Sequence, residues 1–287
     1  TAAVFHDGCT RRGVSEATIQ WLPMLAALLG AGAAGGLLAG LLGVGGGIII
    51  VPVLDLALTL AGVDPAVAMH VAVATSMATI VPTSISSSRS HARRGSIDLE
   101  VVKRWSLPIV IGALAGSLVA SSFDARALAG VFGAVAGLAA LKMALPLDHA
   151  VLRPSIPRGL GGAAIPGSIG VISAMMGIGG GTLSVPSMTL CGEPVHKAVG
   201  TAALLGLWIS VPATAGYLLA QPGPAVMPPW TIGWVSGPGF AIIAPVALLV
   251  SPVGAGLAHS LDRRKLSAAF GAFLLIVAAR MLYRAFG

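Results

Sequence analysis

Charge is what this chain has least of: only 9% of its 287 residues are Asp, Glu, Lys or Arg, against roughly 25% in soluble domains. With 56% hydrophobic residues and a mean hydropathy of +0.92, too few charges remain to cover a water-facing globule. Lipid must therefore solvate much of the surface. Cysteine is scarce too. Cys9 and Cys191 stand far apart without metal-ligand partners at useful spacing, and two unpaired thiols are expected. The sequence has no Gly-x-x-x-x-Gly-Lys-Ser/Thr loop and no His-Glu-x-x-His or Cys/His cluster. ATP is thus not the expected energy source, and neither a metal centre nor another cofactor is expected.

The charges present are unbalanced, with 17 Lys and Arg against 10 Asp and Glu. Nucleic-acid-binding proteins gather such an excess into patches on a polar surface. Here the cations sit in short loops between apolar runs, the positive-inside pattern of membrane proteins, so no nucleic-acid partner is expected. Residues 1–20 are polar, carry Arg11, Arg12 and Glu16, and have no apolar stretch. The first membrane segment is expected to be its own insertion signal.

Apolar runs long enough to approach a bilayer crossing fall at 22–42, 66–86, 105–122 and 127–147, then at 158–176, 196–220, 231–258 and 266–286. Two shorter runs, 48–61 and 182–190, each follow a glycine cluster. The first would reach only about 21 Å at 1.5 Å per residue, short of a hydrocarbon core of roughly 30 Å. Trp21, Trp105 and Trp230 lie near segment ends, where interfacial indoles are expected.

The order repeats. Gly43-Val-Gly-Gly-Gly-Ile-Ile-Ile-Val-Pro52 aligns without a gap with Gly177-Ile-Gly-Gly-Gly-Thr-Leu-Ser-Val-Pro186, and His70-Val-Ala-Val-Ala-Thr75 with His196-Lys-Ala-Val-Gly-Thr201. Triple glycine alone would mean little, but two motifs in the same order point to duplication. The expected layout is a polar tail at 1–20, one transmembrane repeat at 21–147 and a second at 148–287.

Loop charge sets orientation. The 87–104 loop holds Arg89, Arg93, Arg94, Lys103 and Arg104, whereas its counterpart at 221–230 is uncharged. The short 123–126 loop has one Arg and one Asp, while its counterpart at 259–265 carries Arg263, Arg264 and Lys265. Since the bias reverses between halves, equivalent elements should point in opposite directions, as in inverted-repeat transporters. The linker at 146–158, with Arg153 and Arg158, then faces the cytoplasm and both termini lie outside, although this also places Arg11, Arg12, Arg280 and Arg284 there. The fold expected is an all-α polytopic membrane protein of two inverted-topology repeats, each with a glycine-broken helix, a short half-helix and three further transmembrane helices.

Irregular backbone at membrane depth is tolerated only where protein or a wet cavity surrounds it. A helix breaking at Gly45, Gly46 and Gly47 presents amide donors at its restart, and with the helix dipole these make an anion site. Gly179, Gly180 and Gly181 would supply the matching break, with hydroxyls from Thr182 and Ser184. The alternative is that these glycines only allow close helix packing. His70 and His196 would hydrogen-bond an anion or carry a proton, or would simply begin helices at the interface. Thr75, Ser76 and Thr201 would line a polar pocket or bond back to backbone. Asp55, costly inside a short apolar run, would bind a coupling proton or cation, or point into interfacial water. No buried Arg is evident, so helix ends, His or a co-moving proton would compensate an anion's charge.

At Gly43–Pro52, Gly177–Pro186 and Ala198-Val-Gly-Thr201 the chain resembles the TauE/SafE sulfite-exporter family over nearly its whole length after residue 21. The first half departs from the family's Gly-Thr pattern with Ala74-Thr75. The resemblance implies a bacterial inner-membrane carrier for sulfite, organosulfonates or other small organic anions. The expected function is accordingly a secondary transporter, an exporter of small sulfur-containing anions working by alternating access, with a carboxylate carrier as the alternative. A membrane-embedded enzyme is the more distant rival. It would need a polar catalytic cluster, and only Asp55, His70 and His196 are available. The expected partners are a small anion, a coupled proton or cation, and the lipid bilayer.

Overall fold

The computed structural model describes residues 7–43, 45–144, 160–223, 226–257 and 263–287; for 7–22, 42, 142–144, 160–161 and 263–270 only the backbone is described. The expected linker charges Arg153 and Arg158 lie outside these residues, as do the side chains of Cys9, Arg11, Arg12, Trp21, Arg263, Arg264 and Lys265.

The described chain is all helix apart from one tiny hairpin. The first half runs α1 (Asp7–Leu42), α2 (Gly47–Leu60), α3 (Pro65–Ala92), α4 (Leu99–Ala120) and α5 (Ala125–Ala144). The second runs α6 (Leu160–Met176), α7 (Gly181–Leu190), α8 (Val195–Leu219), the hairpin β1 (Thr231–Ile232) and β2 (Val235–Ser236), α9 (Gly237–Leu257) and α10 (Arg263–Phe286). Local chemistry explains several starts. Asp64 accepts the Ala66 amide at 2.8 Å with Pro65 opening α3, and Asp98 accepts those of Glu100 and Val101 at 2.9 and 3.1 Å.

Among the described residues five helices are long and apolar enough to cross a membrane, with spans at Pro23–Leu41, Pro65–Ala92, Leu99–Ala120, Val195–Leu219 and Gly237–Leu257. The outward face of α4 presents Leu107, Ile111, Leu114 and Leu118, all exposed and at helical spacing. A stripe of that kind would aggregate in water and is at home against lipid tails. The chain is a multi-pass membrane protein.

α3 and α8 pack against each other at the centre, and the membrane-crossing window of α3 is 83% buried. Around them the halves interlock. α1 packs on α9, α4 packs on α6, and α5 packs on α10. The first two crossings are close because small residues face them. A methyl on Gly32 would lie 3.0 Å from Ile243 O, and the next turns, Gly36 and Gly40, press on Ala247 and Ser251. Likewise Gly112 presses on Gly167 and Gly116 on Val171. Lipid supplies no hydrophobic drive for such contacts, so tight backbone approach and dispersion provide the attraction.

Some elements differ from the sequence expectation. Residues 7–20 continue α1 as helix rather than standing apart as a tail. α3 runs to Ala92, so the polar stretch 87–92 is its last turns: Ser87 Oγ donates to Ala39 O at 3.3 Å and the His91 ring to Gly40 O at 3.2 Å. Residues 231–236 form the hairpin instead of beginning α9, because Trp230 (φ 61°) and Gly233 (φ 55°) reverse the chain there. Trp105 is 2% exposed, packed inside rather than at an interface, whereas Trp230 is 84% exposed.

Candidate functional site

Both glycine clusters interrupt helices. After α1 ends, Gly43, Gly45 and Gly46 take φ of 65°, 80° and 75°, a region that costs an L side chain about 1–2 kcal/mol, and α2 restarts at Gly47. After α6 ends, Gly177 (φ 68°) turns the chain and α7 restarts at Gly181, with Gly180 at an ordinary φ of −58°. The second cluster needs glycine mainly for space. A methyl on Gly45 would sit 2.9 Å from Gly179 Cα, one on Gly180 would sit 2.9 Å from Ile209 Cδ1, and one on Gly47 would collide with Gly177 O. Ser76 Oγ, on α3, donates to Gly177 O at 2.7 Å. The two breaks therefore touch each other, fully buried, with Ser76 tying the first half to the second.

The restart of α7 is the more polar. Its first bond from an amide is Ser184 N–H to Gly180 O at 2.7 Å, which leaves the amides of Gly181, Thr182 and Leu183 without a partner among the described residues. Ser184 Oγ and Thr182 Oγ1 are buried and likewise unpartnered. Ser184 is 0% exposed, with Oγ 3.3 Å from where a Gly180 Cβ would stand. Buried hydroxyls without partners are uncommon, because desolvation goes uncompensated. At the start of α2, Ile49 and Ile50 donate to Gly46 O at 3.1 and 3.3 Å. The first turn there is Gly-Ile-Ile-Ile and adds no hydroxyl.

Thr75 and Thr201 are 0% exposed and do the same job in each half. Thr75 Oγ1 accepts the Ser236 amide at 2.9 Å, and Thr201 Oγ1 accepts the Asp98 amide at 2.8 Å. Each long helix thus holds the loop that opens α9 or α4 of the other half. His91 and Tyr217, which occupy equivalent places in the register of Thr75 and Thr201, repeat the pattern. His91 meets Gly40 O, and Tyr217 Oη donates to Ala174 O at 3.0 Å, the carbonyl three residues before the first glycine of each cluster. Carbonyls in a helix's last turn have no partner within the helix; these side chains bond to them, and Ala174 O also accepts the Gly177 amide at 3.3 Å.

The two histidines diverge. His70 is 4% exposed, with Nδ1 2.9 Å from Ala66 O and Nε2 2.9 Å from Phe123 O, and its ring stacks on Trp234 at a centroid distance of 4.6 Å. His196 is exposed at the start of α8, away from the glycine breaks. Asp55 is 0% exposed and paired with α10, touching Arg284 and lying 3.9 Å from Arg280. Arg280 also donates to Pro52 O at 3.0 Å and Arg284 to Pro65 O at 2.6 Å. Arg284 is half-buried, with a side chain 19% exposed, so a partly buried Arg stands beside the carboxylate although none of the described Arg residues is fully buried. Nor does Asp55 point into interfacial water. Asp55 and His70 are held by different partners and His196 is exposed, so the three form no common cluster.

A family model, sulfite exporter TauE/SafE, matches residues 28–281. The chain belongs to the sulfite exporter TauE/SafE family. Among its relatives, a probable membrane transporter protein of Haemophilus influenzae is 30% identical, covering 88% of this chain and 96% of its own length. One from Methanocaldococcus jannaschii is 27% identical over 94% of this chain and 99% of its own. One from Bacillus subtilis is 24% identical, over 86% and 95% respectively. No solved structure matches. Family and relatives alike indicate a membrane transporter, and a place in the bacterial inner membrane agrees with them.

For this TauE/SafE chain the repeat extends further than the glycine and threonine motifs. Asp124-Ala-Arg-Ala-Leu128 matches Asp262-Arg-Arg-Lys-Leu266, and Phe132-Gly-Ala134 with Lys142-Met143 matches Phe270-Gly-Ala272 with Arg280-Met281 at the same spacing. That signal marks α5 and α10 as equivalents and sets Arg280 opposite Lys142. Arg284 has no basic counterpart, since Pro146 stands in its place. The glycine register sets Thr189 opposite Asp55, so no repeat pattern could have paired Asp55 with Arg284.

Proposed function

We propose that the protein is a secondary transporter that exports small sulfur-containing anions, such as sulfite or organosulfonates, across the bacterial inner membrane by alternating access. The observation that carries this reading is the start of α7: three amides without a partner among the described residues and the orphaned, buried hydroxyls of Thr182 and Ser184, directly after Gly179, which meets the opposing glycine break at Gly45. Amides at a helix start, with the positive end of the dipole, favour negative charge by about 0.3–1 kcal/mol at exposed sites and up to ~2 kcal/mol when partly buried. A pyramidal oxyanion presents several acceptors to such a cup. Gly179, Gly180 and Gly181 with Thr182 form its main wall, and Gly45, Gly46 and Gly47 close it from the other half. Ser76, Thr75 and Thr201 hold the surrounding helices and loops. His70 and His196 stand outside this wall.

The packing of α1 on α9, of α4 on α6 and of α5 on α10 is what a two-fold relation between halves requires, and the reversed loop charges favour an axis in the membrane plane. In that inverted arrangement one break opens toward each side as the halves rock. The test is flux and thermal stabilisation with purified protein. Sulfite or methanesulfonate should raise the melting temperature and move saturably into proteoliposomes. Ser184→Ala, losing one hydrogen bond to a charged ligand, should weaken apparent affinity about tenfold or more. Stabilisation by acetate but not by sulfur anions would move the assignment to carboxylates. Stabilisation by neutral solutes alone would end it.

A further inference from the structure

We propose that the paired glycine breaks select anions of a single negative charge, hydrogen sulfite or a sulfonate rather than the sulfite or sulfate dianion. The inference rests on the anion-transporter reading and adds to it the charge of the form that binds. It starts from how this chain opens its helices. α3, α4 and α5 each follow an aspartate, and the carboxylates of Asp64, Asp98 and Asp124 accept first-turn amides at 2.7–3.1 Å. α2 and α7 instead open on Gly46 and Gly180 with no side-chain cap, and both starts are buried. A buried start without a cap leaves the place of that singly charged carboxylate to a ligand. Ser184 Oγ points to the same occupant: it is 0% exposed, without a partner, and 3.3 Å from where a Gly180 Cβ would stand.

The positive charge available there is that of two helix starts. A methyl on Gly47 would collide with Gly177 O and lie 3.0 Å from Ile178 Cα, so α2 restarts against the loop that leads into α7. Each start carries about +0.5 of an elementary charge, or about +1 for the pair. Side chains add nothing to this, since residues 23–54, 160–192 and 198–257 contain no Asp, Glu, Lys, Arg or His. On α3, His70 is bonded to Ala66 O and Phe123 O, His91 to Gly40 O, and Arg89 is exposed. On α4, Lys103 and Arg104 are exposed, and on α8 so are His196 and Lys197, while Tyr217 Oη donates to Ala174 O. Further along α2, Asp55 pairs with Arg284, and Arg280 is bonded to Pro52 O with its side chain 38% exposed. Two helix starts therefore match one negative charge. A dianion would keep about one charge unmatched in a buried site, which weakens binding by about a hundredfold or more.

For sulfite this selectivity has a consequence in protons. Free sulfite takes up a proton near neutral pH. A dianion that gains its proton from water on one side enters the site as hydrogen sulfite and returns the proton to water on the other. Each turnover then moves one proton with the oxyanion, and no side chain has to carry it. Asp55 remains with its arginines and His70 with its two carbonyls throughout. Sulfonates, which stay singly charged, cross without a proton.

The test compares anions of similar size and different charge on the wild-type protein, by thermal shift in nanodiscs and by flux in proteoliposomes. Methanesulfonate is singly charged throughout. Methylphosphonate has nearly its shape but takes a second charge near neutral pH, and sulfate is doubly charged. From mildly acidic to mildly alkaline pH, methanesulfonate should keep one apparent affinity. Total sulfite and methylphosphonate should each weaken, approaching about tenfold per unit of rising pH. Sulfate should bind about a hundredfold or more weaker than methanesulfonate. Sulfate as strong as methanesulfonate, or a pH slope for methanesulfonate as steep as for sulfite, overturns the charge assignment while the anion-transporter reading stands. Absence of stabilisation and of saturable flux with all four anions ends that reading and this inference together.

Discussion

Gly45 and Gly62 take nearly the same backbone conformation, φ 80° and 84°, but only one has a neighbour. Nothing lies within 4 Å of a methyl built on Gly62, whereas one on Gly45 stands 2.9 Å from Gly179 Cα and 3.2 Å from its nitrogen. Gly62→Ala therefore isolates the left-handed strain, about 1–2 kcal/mol. Gly45→Ala adds overpacking against rigid backbone, typically about 1–3 kcal/mol, for a total of roughly 2–5 kcal/mol. At about 2 °C per kcal/mol for a protein of this size, the melting temperature should fall by roughly 2–4 °C for Gly62→Ala and roughly 4–10 °C for Gly45→Ala. Thermal unfolding of purified protein, read by tryptophan emission, gives both values. Anion stabilisation measured alongside should survive Gly62→Ala and weaken in Gly45→Ala, because the added methyl pushes the two breaks apart. Equal effects of the two substitutions, on melting and on anion response, would refute the claim that the breaks bear on each other.

Ser76→Ala leaves Gly177 O buried without its 2.7 Å donor and should cost about 1–3 kcal/mol in the same melts. Thr75→Val and Thr201→Val preserve shape but strip an acceptor from the Ser236 and Asp98 amides; each should cost about 1–3 kcal/mol, and a large inequality between them would argue against equivalent roles. Asp55→Asn and Arg284→Met each break a buried charge pair and should destabilise by about 3 kcal/mol, the lower end of the usual range because Arg284 is partly exposed. Asp55→Leu combined with Arg284→Met should recover much of that loss, and a double-mutant cycle with no coupling would show the pair to be idle.

The helices were legible because lipid imposes a strong constraint: long apolar runs have few other conformations open to them. The breaks were legible because positive φ and backbone-to-backbone contact both demand glycine, as at Gly45 and Gly179. Polar residues misled where they serve helix ends rather than solvent. Ser87 and His91 read as loop, yet they close the carbonyls at the end of α1. The hairpin escaped notice because residues 231–236 are as apolar as a helix, and only the turn at Trp230 and Gly233 gives it away. Asp55 with Arg284 depends on contact across 229 positions without a repeat to reveal it. The different fates of His70 and His196, equal in sequence register, follow from Trp234, which neighbours one and has no equivalent beside the other.

Selenite has the pyramidal shape of sulfite with a heavier central atom, so anomalous diffraction from a selenite-soaked crystal would locate the bound anion directly. The selenium should appear beside the start of α7, its oxygens within hydrogen-bonding distance of the Gly181–Leu183 amides and Ser184 Oγ, with Gly45–Gly47 opposite. A peak at Arg280 and Arg284 instead, with none between the glycine breaks, would contradict the account.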